Sequence, residues 1–231
     1  MYKQFQRWFP QLDRRVWLLA AGRLLSQIGI GFVLFYAPIF FVNQVGLSAT
    51  QVGLGVGSQA LSGLVGRFVG GSMTDSPRWG RRQTLLLSAL ISALADGVFL
   101  LSNGFPIFIA GNLLMGLGVG LYWPSTEAVV ADITPAAERN EAFALVRLAD
   151  SVGLGLGVIL GGVLISTTQR YRLLFAVDGV SFLLFFGLFY WAIAETRPEQ
   201  PGDRSFWQGW TVALKDSILW VYVAVNILLT G

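Results

Sequence analysis

The sequence contains no cysteine and no histidine. Without thiols there are no disulfides and no thiolate nucleophile. Without imidazole there is no ready general base at neutral pH, and most transition-metal sites lose their usual ligands. Charge is scarce too: Asp, Glu, Lys and Arg make up 13% of the chain, against 54% apolar residues. That is not the balance of an ordinary soluble domain. A phosphate-binding loop is also missing. A membrane enzyme would need a nucleophile, a metal cluster or a cofactor box, so neither catalysis, a cofactor, a metal nor a nucleic-acid partner is expected. The first residues, Met1 to Arg15, are polar, basic and aromatic with no small-residue cleavage site after them, so no cleavable signal peptide is expected.

What the chain does have is apolar runs of bilayer length, about 20 residues per crossing. They predict helices over about Val16–Val42, Thr50–Met73, Arg82–Ser102, Ile107–Ala131, Ala142–Thr167 and Leu173–Ala194, with Pro38 bending the far end of the first. Asn43–Ala49 and Asn103–Pro106 read as uncharged turns, and Asp132-Ile-Thr-Pro135 with Glu138–Glu141 as a charged loop. The predicted organisation is a six-helix membrane bundle over 1–194, a linker over 195–214, and the beginning of a seventh helix over 215–231. In the linker, Phe206, Trp210 and Leu214 recur at fourfold spacing. They predict a short helix lying in the membrane interface with Lys215 toward phosphate.

With the N-terminus placed in the cytoplasm, the inner segments hold eleven Lys and Arg residues against two outside, Arg170 and Arg172. The positive-inside rule therefore predicts a cytoplasmic N-terminus. Arg170 and Arg172 are the exception, with Asp178 the expected partner one to two turns into helix six.

Between helices two and three lies Gly71-Ser-Met-Thr-Asp75-Ser-Pro77-Arg78-Trp-Gly80-Arg81-Arg82. Asp75 and Gly80 suit a tight turn, and the three arginines hold it on one side of the membrane. The stretch resembles the loop between the second and third helices of Major Facilitator Superfamily transporters, roughly G-x-L-A-D-R-x-G-R-R. Gly71, Asp75, Gly80, Arg81 and Arg82 match; Met73 replaces the usual leucine, and Ser76 and Pro77 are two extra residues before Arg78. The resemblance implies an all-α membrane protein built as a 3+3 inverted repeat, half of a twelve-helix transporter. It implies a lipid bilayer around the chain, a small-molecule substrate, proton coupling, and a C-terminal half as partner. It also implies a conformational latch: Arg81 pairs with Asp132 at the end of helix four while Asp75 faces the other half, favouring the outward-open state.

Helix five carries Gly153, Gly157, Gly161 and Gly162. Glycines four apart share a face and let another helix approach, so a packing seam is one reading. The other is resemblance to the G-x-x-x-G-P-x-x-G-G signature of drug:proton antiporters in the same superfamily, with Val158 where that signature has proline. In helix four, Asn112 stands where those antiporters have arginine, with Gly116 and Gly118 in register. These two departures fall in the motifs that would indicate direction and coupling ion.

Arg23, Arg67, Glu127, Arg147 and Asp150 lie at similar depth from the cytoplasmic helix ends. They predict an inner charge layer, because unpaired charges in hydrocarbon are costly. Asp150 is expected to pair with Arg23 first and Arg147 second. The resemblance places Asp96 and Asp178 on helices peripheral to the pathway, so neither is expected to act as a proton carrier. It nominates as cavity residues Gln27, Phe32 and Tyr36 of helix one and Asn112, Met115, Tyr122 and Trp123 of helix four, with Pro124 bending the latter. The leading reading is a secondary transporter that exports a small organic or drug-like compound by alternating access. Uptake or facilitated passage of a small solute, and a non-transporting receptor or scaffold on the same fold, stand as alternatives.

Overall fold

The computed structural model describes residues 12–197. The predicted interfacial helix around Phe206–Lys215 and the start of a seventh helix lie outside them. The described residues form six α-helices and no strand: α1 Arg14–Asn43, α2 Ala49–Asp75, α3 Gly80–Leu101, α4 Phe105–Ile133, α5 Arg139–Thr168 and α6 Arg172–Ala192.

Local chemistry sets several of these ends. Asp13 caps α1, its carboxylate accepting from the Arg15 amide at 2.7 Å. Ser48 and Gln51 form a reciprocal capping box at α2. Pro106 sits in the first turn of α4, where a missing N–H costs nothing. α1 and α4 both run on through their internal prolines, Pro38 and Pro124.

Five helices, α1, α3, α4, α5 and α6, are long and apolar enough to cross a membrane. α2 has the length, at 27 residues, or roughly 40 Å. Its many glycines, with Ser58, Gln59 and Ser62, lower its hydropathy below the others. Leu90 and Leu94 of α3 and Val180, Leu183 and Leu184 of α6 are exposed on the outside of the bundle, a surface suited to lipid.

The main packing partners are α2 with α4, α1 with α5, α3 with α4, α1 with α6, and α3 with α6. This set is unchanged when α1, α2 and α3 are exchanged for α4, α5 and α6. The bundle is therefore two three-helix units that swap their second helices. Because each unit crosses an odd number of times, the second must start on the opposite side, which makes the repeat an inverted one.

Glycines make both swaps possible. A Cβ at Gly66 of α2 would lie 2.8 Å from the Leu117 carbonyl oxygen, and one at Gly120 of α4 would lie 2.5 Å from that of Gly63. In the matching seam, a Cβ at Gly153 of α5 would lie 2.6 Å from the Leu24 carbonyl oxygen, and one at Gly31 of α1 2.5 Å from that of Leu154. Such contacts exclude any side chain. One end of the bundle, where the α1–α2, α3–α4 and α5–α6 turns meet, is filled by Phe40, Phe41, Phe99, Phe108 and Phe175. Phe41 and Phe108 have ring centroids 4.3 Å apart.

Candidate functional site

The opposite end gathers the α2–α3 loop, the end of α4 and the segment after α6. Gly80 opens α3 with φ of +72°, a left-handed conformation that glycine adopts without strain. Arg81, next in sequence, is thereby aimed back into the bundle. Its Nε donates to Asp132 Oδ2 at 2.9 Å, its Nη1 to the Thr74 carbonyl at 2.7 Å, and Nη1 also lies 3.2 Å from Asp75 Oδ1. Arg81 and Asp132 are nearly buried, while the Asp75 side chain is 78% exposed. Asp75 thus has one oxygen near Arg81 and an open side. Arg78 is exposed, and Gly71 has open space beside it. Arg82 stacks on the Tyr190 ring at 4.8 Å and donates to the Tyr190 carbonyl at 2.8 Å.

Sequence reasoning missed one member of this cluster. The Glu195 carboxylate accepts from the amides of Arg81 at 3.0 Å and Arg82 at 3.1 Å, and also from those of Thr196 and Arg197. It caps α3 from a segment 114 residues away and occupies the space a Cβ on Gly80 would need. A carboxylate at a helix start is favourable because the first amides lack partners and carry positive partial charge. Thr196 Oγ1 donates to Asp132 Oδ2 at 3.2 Å, and Arg197 Nε to the Asp75 carbonyl at 3.0 Å. The only signal in the sequence was an acid directly after the last apolar residue of helix six.

Deeper in, Arg23 of α1 is 2% exposed and forms a two-pronged ion pair with Asp150 of α5, Nε to Oδ1 at 2.9 Å and Nη2 to Oδ2. Its guanidinium lies 5.5 Å from the Tyr122 ring and 5.1 Å from the Trp123 ring. The other three charges of the expected layer do not join this pair. Arg147 is exposed and makes no ion pair with a described residue. Arg67 and Glu127 line an open cleft of about 400 Å³ with Trp123 and Pro124. One pair and three separate charges replace the continuous network, because α2 and α5 hold Arg67 and Arg147 on exposed faces.

The expected cavity residues separate in the same way. Trp123 lines the cleft. Phe32, Asn112 and Met115 are buried in the bundle interior, and the Asn112 amide donates to the Phe108 carbonyl of its own helix at 2.8 Å. Gln27 and Tyr36 lie in the α1–α5 seam, with Gln27 against Gly153 and Tyr36 against Gly161 and Gly162. The Tyr36 hydroxyl donates to the Val158 carbonyl at 2.9 Å. Tyr122 lies beneath Arg23 and against Phe185. On α1 the cause is the close approach of Gly31 to Gly157 of α5, which sets Gln27 and Tyr36 into the same seam. Arg172 does not pair with Asp178. Its guanidinium donates to the Leu100 and Ser102 carbonyls and to Asn103 Oδ1.

A six-helix inverted repeat with an arginine–carboxylate cluster at one end and a charged cleft along one side fits one half of a larger helical membrane fold. The family model described as Major Facilitator Superfamily matches residues 19–231, and the chain belongs to that family as an integral membrane protein. It is 22% identical over 165 residues to the quinolone resistance protein NorA of Staphylococcus aureus, a match covering 71% of this chain and 42% of NorA. Among solved structures it is similar to a peptide transporter, POT, in complex with sulfate (TM-score 0.67, 16% identity, 99% of this chain, 50% of that one). It is also similar to the proton:xylose symporter XylE bound to 6-bromo-6-deoxy-D-glucose (TM-score 0.65, 21% identity, 79% of this chain, 44% of that one). The chain spans about half the length of these relatives.

Proposed function

We infer that this chain is the N-terminal half of a plasma-membrane secondary transporter that exports a small organic compound in exchange for protons, with its N-terminus in the cytoplasm. The observation that carries the reading is the Arg81–Asp132–Asp75 cluster on a glycine-hinged loop. Arg81 is held by Asp132 and Thr74, which leaves the exposed Asp75 carboxylate to meet a helix start in the other half. Such a contact exists only when this end is closed, so it biases the protein toward the state open at the opposite end. Similarity to NorA supports export. The cleft lined by Arg67, Trp123 and Glu127 offers an aromatic wall between two opposite charges, which suits an amphiphilic solute.

The test uses the full-length protein in proteoliposomes with an imposed pH gradient and a fluorescent quinolone. Expected is gradient-driven accumulation that a protonophore abolishes. Movement unaffected by the gradient would make the protein a facilitator, and no movement would return the fold to a non-transporting role.

A further inference from the structure

Asp96 of α3 and Asp178 of α6 are both fully buried and lie away from the cleft and the loop cluster. Neither forms an ion pair among the described residues. The backbone is shaped around them. α3 and α6 approach closely because position 179 is glycine, where a Cβ would lie 3.3 Å from the Asp96 Cβ. α1 makes room with Gly29, where a Cβ would run into the Asp178 carboxyl and lie 2.5 Å from Ser181 Oγ. Despite this fit, both oxygens of Asp96 and Oδ2 of Asp178 are buried without a hydrogen-bond partner. Asp178 Oδ1 accepts one long bond, 3.3 Å, from Ser181 Oγ, which also donates to the Asp178 carbonyl at 2.8 Å.

The charged groups of the adjoining elements are committed elsewhere. On α1, Arg23 lies six residues from Gly29 and is paired with Asp150. On α6, Arg172 precedes Asp178 by six residues, roughly 9 Å along the helix, and is held by Leu100, Ser102 and Asn103. On α4, Gly118 faces Ser92 of α3, and Asn112 bonds to Phe108. Buried carboxylates with no cation and at most one long hydrogen bond between them are strongly disfavoured as anions.

We propose that Asp96 and Asp178 form a proton-binding site at the α1–α3–α6 junction. A proton is the cation that fits. Hard metal ions of the calcium and magnesium type take six or more oxygens, whereas the junction supplies three free carboxyl oxygens and one committed hydroxyl, its helix carbonyls being used in the helical ladders. Binding forms an O–H bond on a carboxylate oxygen and gives a neutral acid; release returns the proton to water. With both side chains sealed, exchange requires α1, α3 and α6 to part, so occupancy is tied to how tightly α1 sits on α6. The site stands whether or not the protein exports its substrate against protons.

The experiment is infrared difference spectroscopy of the full-length protein in lipid, comparing wild type with Asp96→Asn, Asp178→Asn and the double variant. Folding of each is checked by circular dichroism; if one single variant does not fold, the other carries the test. The wild type should show a protonated-carboxyl C=O stretch at neutral pH that is weakened in a single variant and lost in the double. Raising the pH should remove the band while the protein stays folded. Absence of the band at neutral pH, or its persistence until the protein unfolds, overturns the proposal. So does removal of the band by sodium at fixed pH, which would make this a metal-ion site.

Discussion

At the residue scale, the Arg23–Asp150 pair is the most sensitive point in the bundle. Arg23 is 2% exposed and its guanidinium is met by a single carboxylate and two rings. Asp150→Asn leaves a buried cation without its counter-charge, and a loss of about 3–5 kcal/mol is expected. Replacing both, as Arg23→Met with Asp150→Leu, should destabilise less than the single change. Thermal unfolding of the full-length protein in detergent compares the two, and a double variant weaker than the single would contradict a desolvated pair. Glu195 is exposed and acts differently. Glu195→Ala should lower stability by only about 1 kcal/mol, the usual size of a lost helix cap. Its distinctive effect should be faster hydrogen exchange at the Arg81 and Arg82 amides. Unchanged exchange there would dismiss the cap. Arg81→Ala should slow turnover and raise the inward-open population, with wild-type cycling arguing that the cluster only anchors the loop.

At the element scale, the decisive feature is the pair of glycine seams. Gly157→Leu or Gly66→Leu inserts a branched side chain where the facing helix backbone already lies. A loss of about 3 kcal/mol or more is expected from overpacking. Gly97→Leu in α3 and Gly187→Leu in α6 meet open space and should cost far less. Helix propensity alone would favour leucine at all four positions, so equal losses at all four would mean that the seams do not set the effect. The seams also explain what could be read in advance. Helix bounds fell close to the observed ones because apolar runs end where Asp132, Pro135 and the 71–82 stretch interrupt them. Arg23 and Asp150 were legible as partners because two opposite charges at one depth in hydrocarbon have few alternatives. How the expected cavity residues are distributed among cleft, seam and interior was not. Which side of α1 faces inward depends on the pairing of Gly31 with Gly157, a contact between residues 126 positions apart that no local period announces. Glu195 stayed hidden for the same reason, since its partners are more than a hundred residues away.

At the scale of the whole molecule, the described ends differ in chemistry. One carries Arg78, Arg81, Arg82, Arg139 and Arg197 among carboxylates; the other is packed with phenylalanine. The positive-inside rule then predicts that single cysteines at Pro77 and Ala137 are shielded in intact cells, and that those at Gln44 and Arg170 react with an impermeant thiol reagent. All four positions are exposed, and the background has no cysteine. Gly80 is unsuitable as a labelling site, because any side chain there displaces Glu195. Labelling at Pro77 with protection at Gln44 would invert the orientation.

The exchange of second helices between the two units also governs how the chain can be made. α1 and α2 are neighbours in sequence yet hardly touch; α2 rests on α4, and α1 on α5 and α6. A nascent chain that has delivered only its first three helices to the membrane therefore has neither glycine seam closed. The α2 seam closes when α4 arrives, and the α1 seam only with α5. Early helices must wait in lipid with notched, partnerless faces, which makes the interval between the synthesis of α2 and α5 the one in which the insertion machinery has to shelter them.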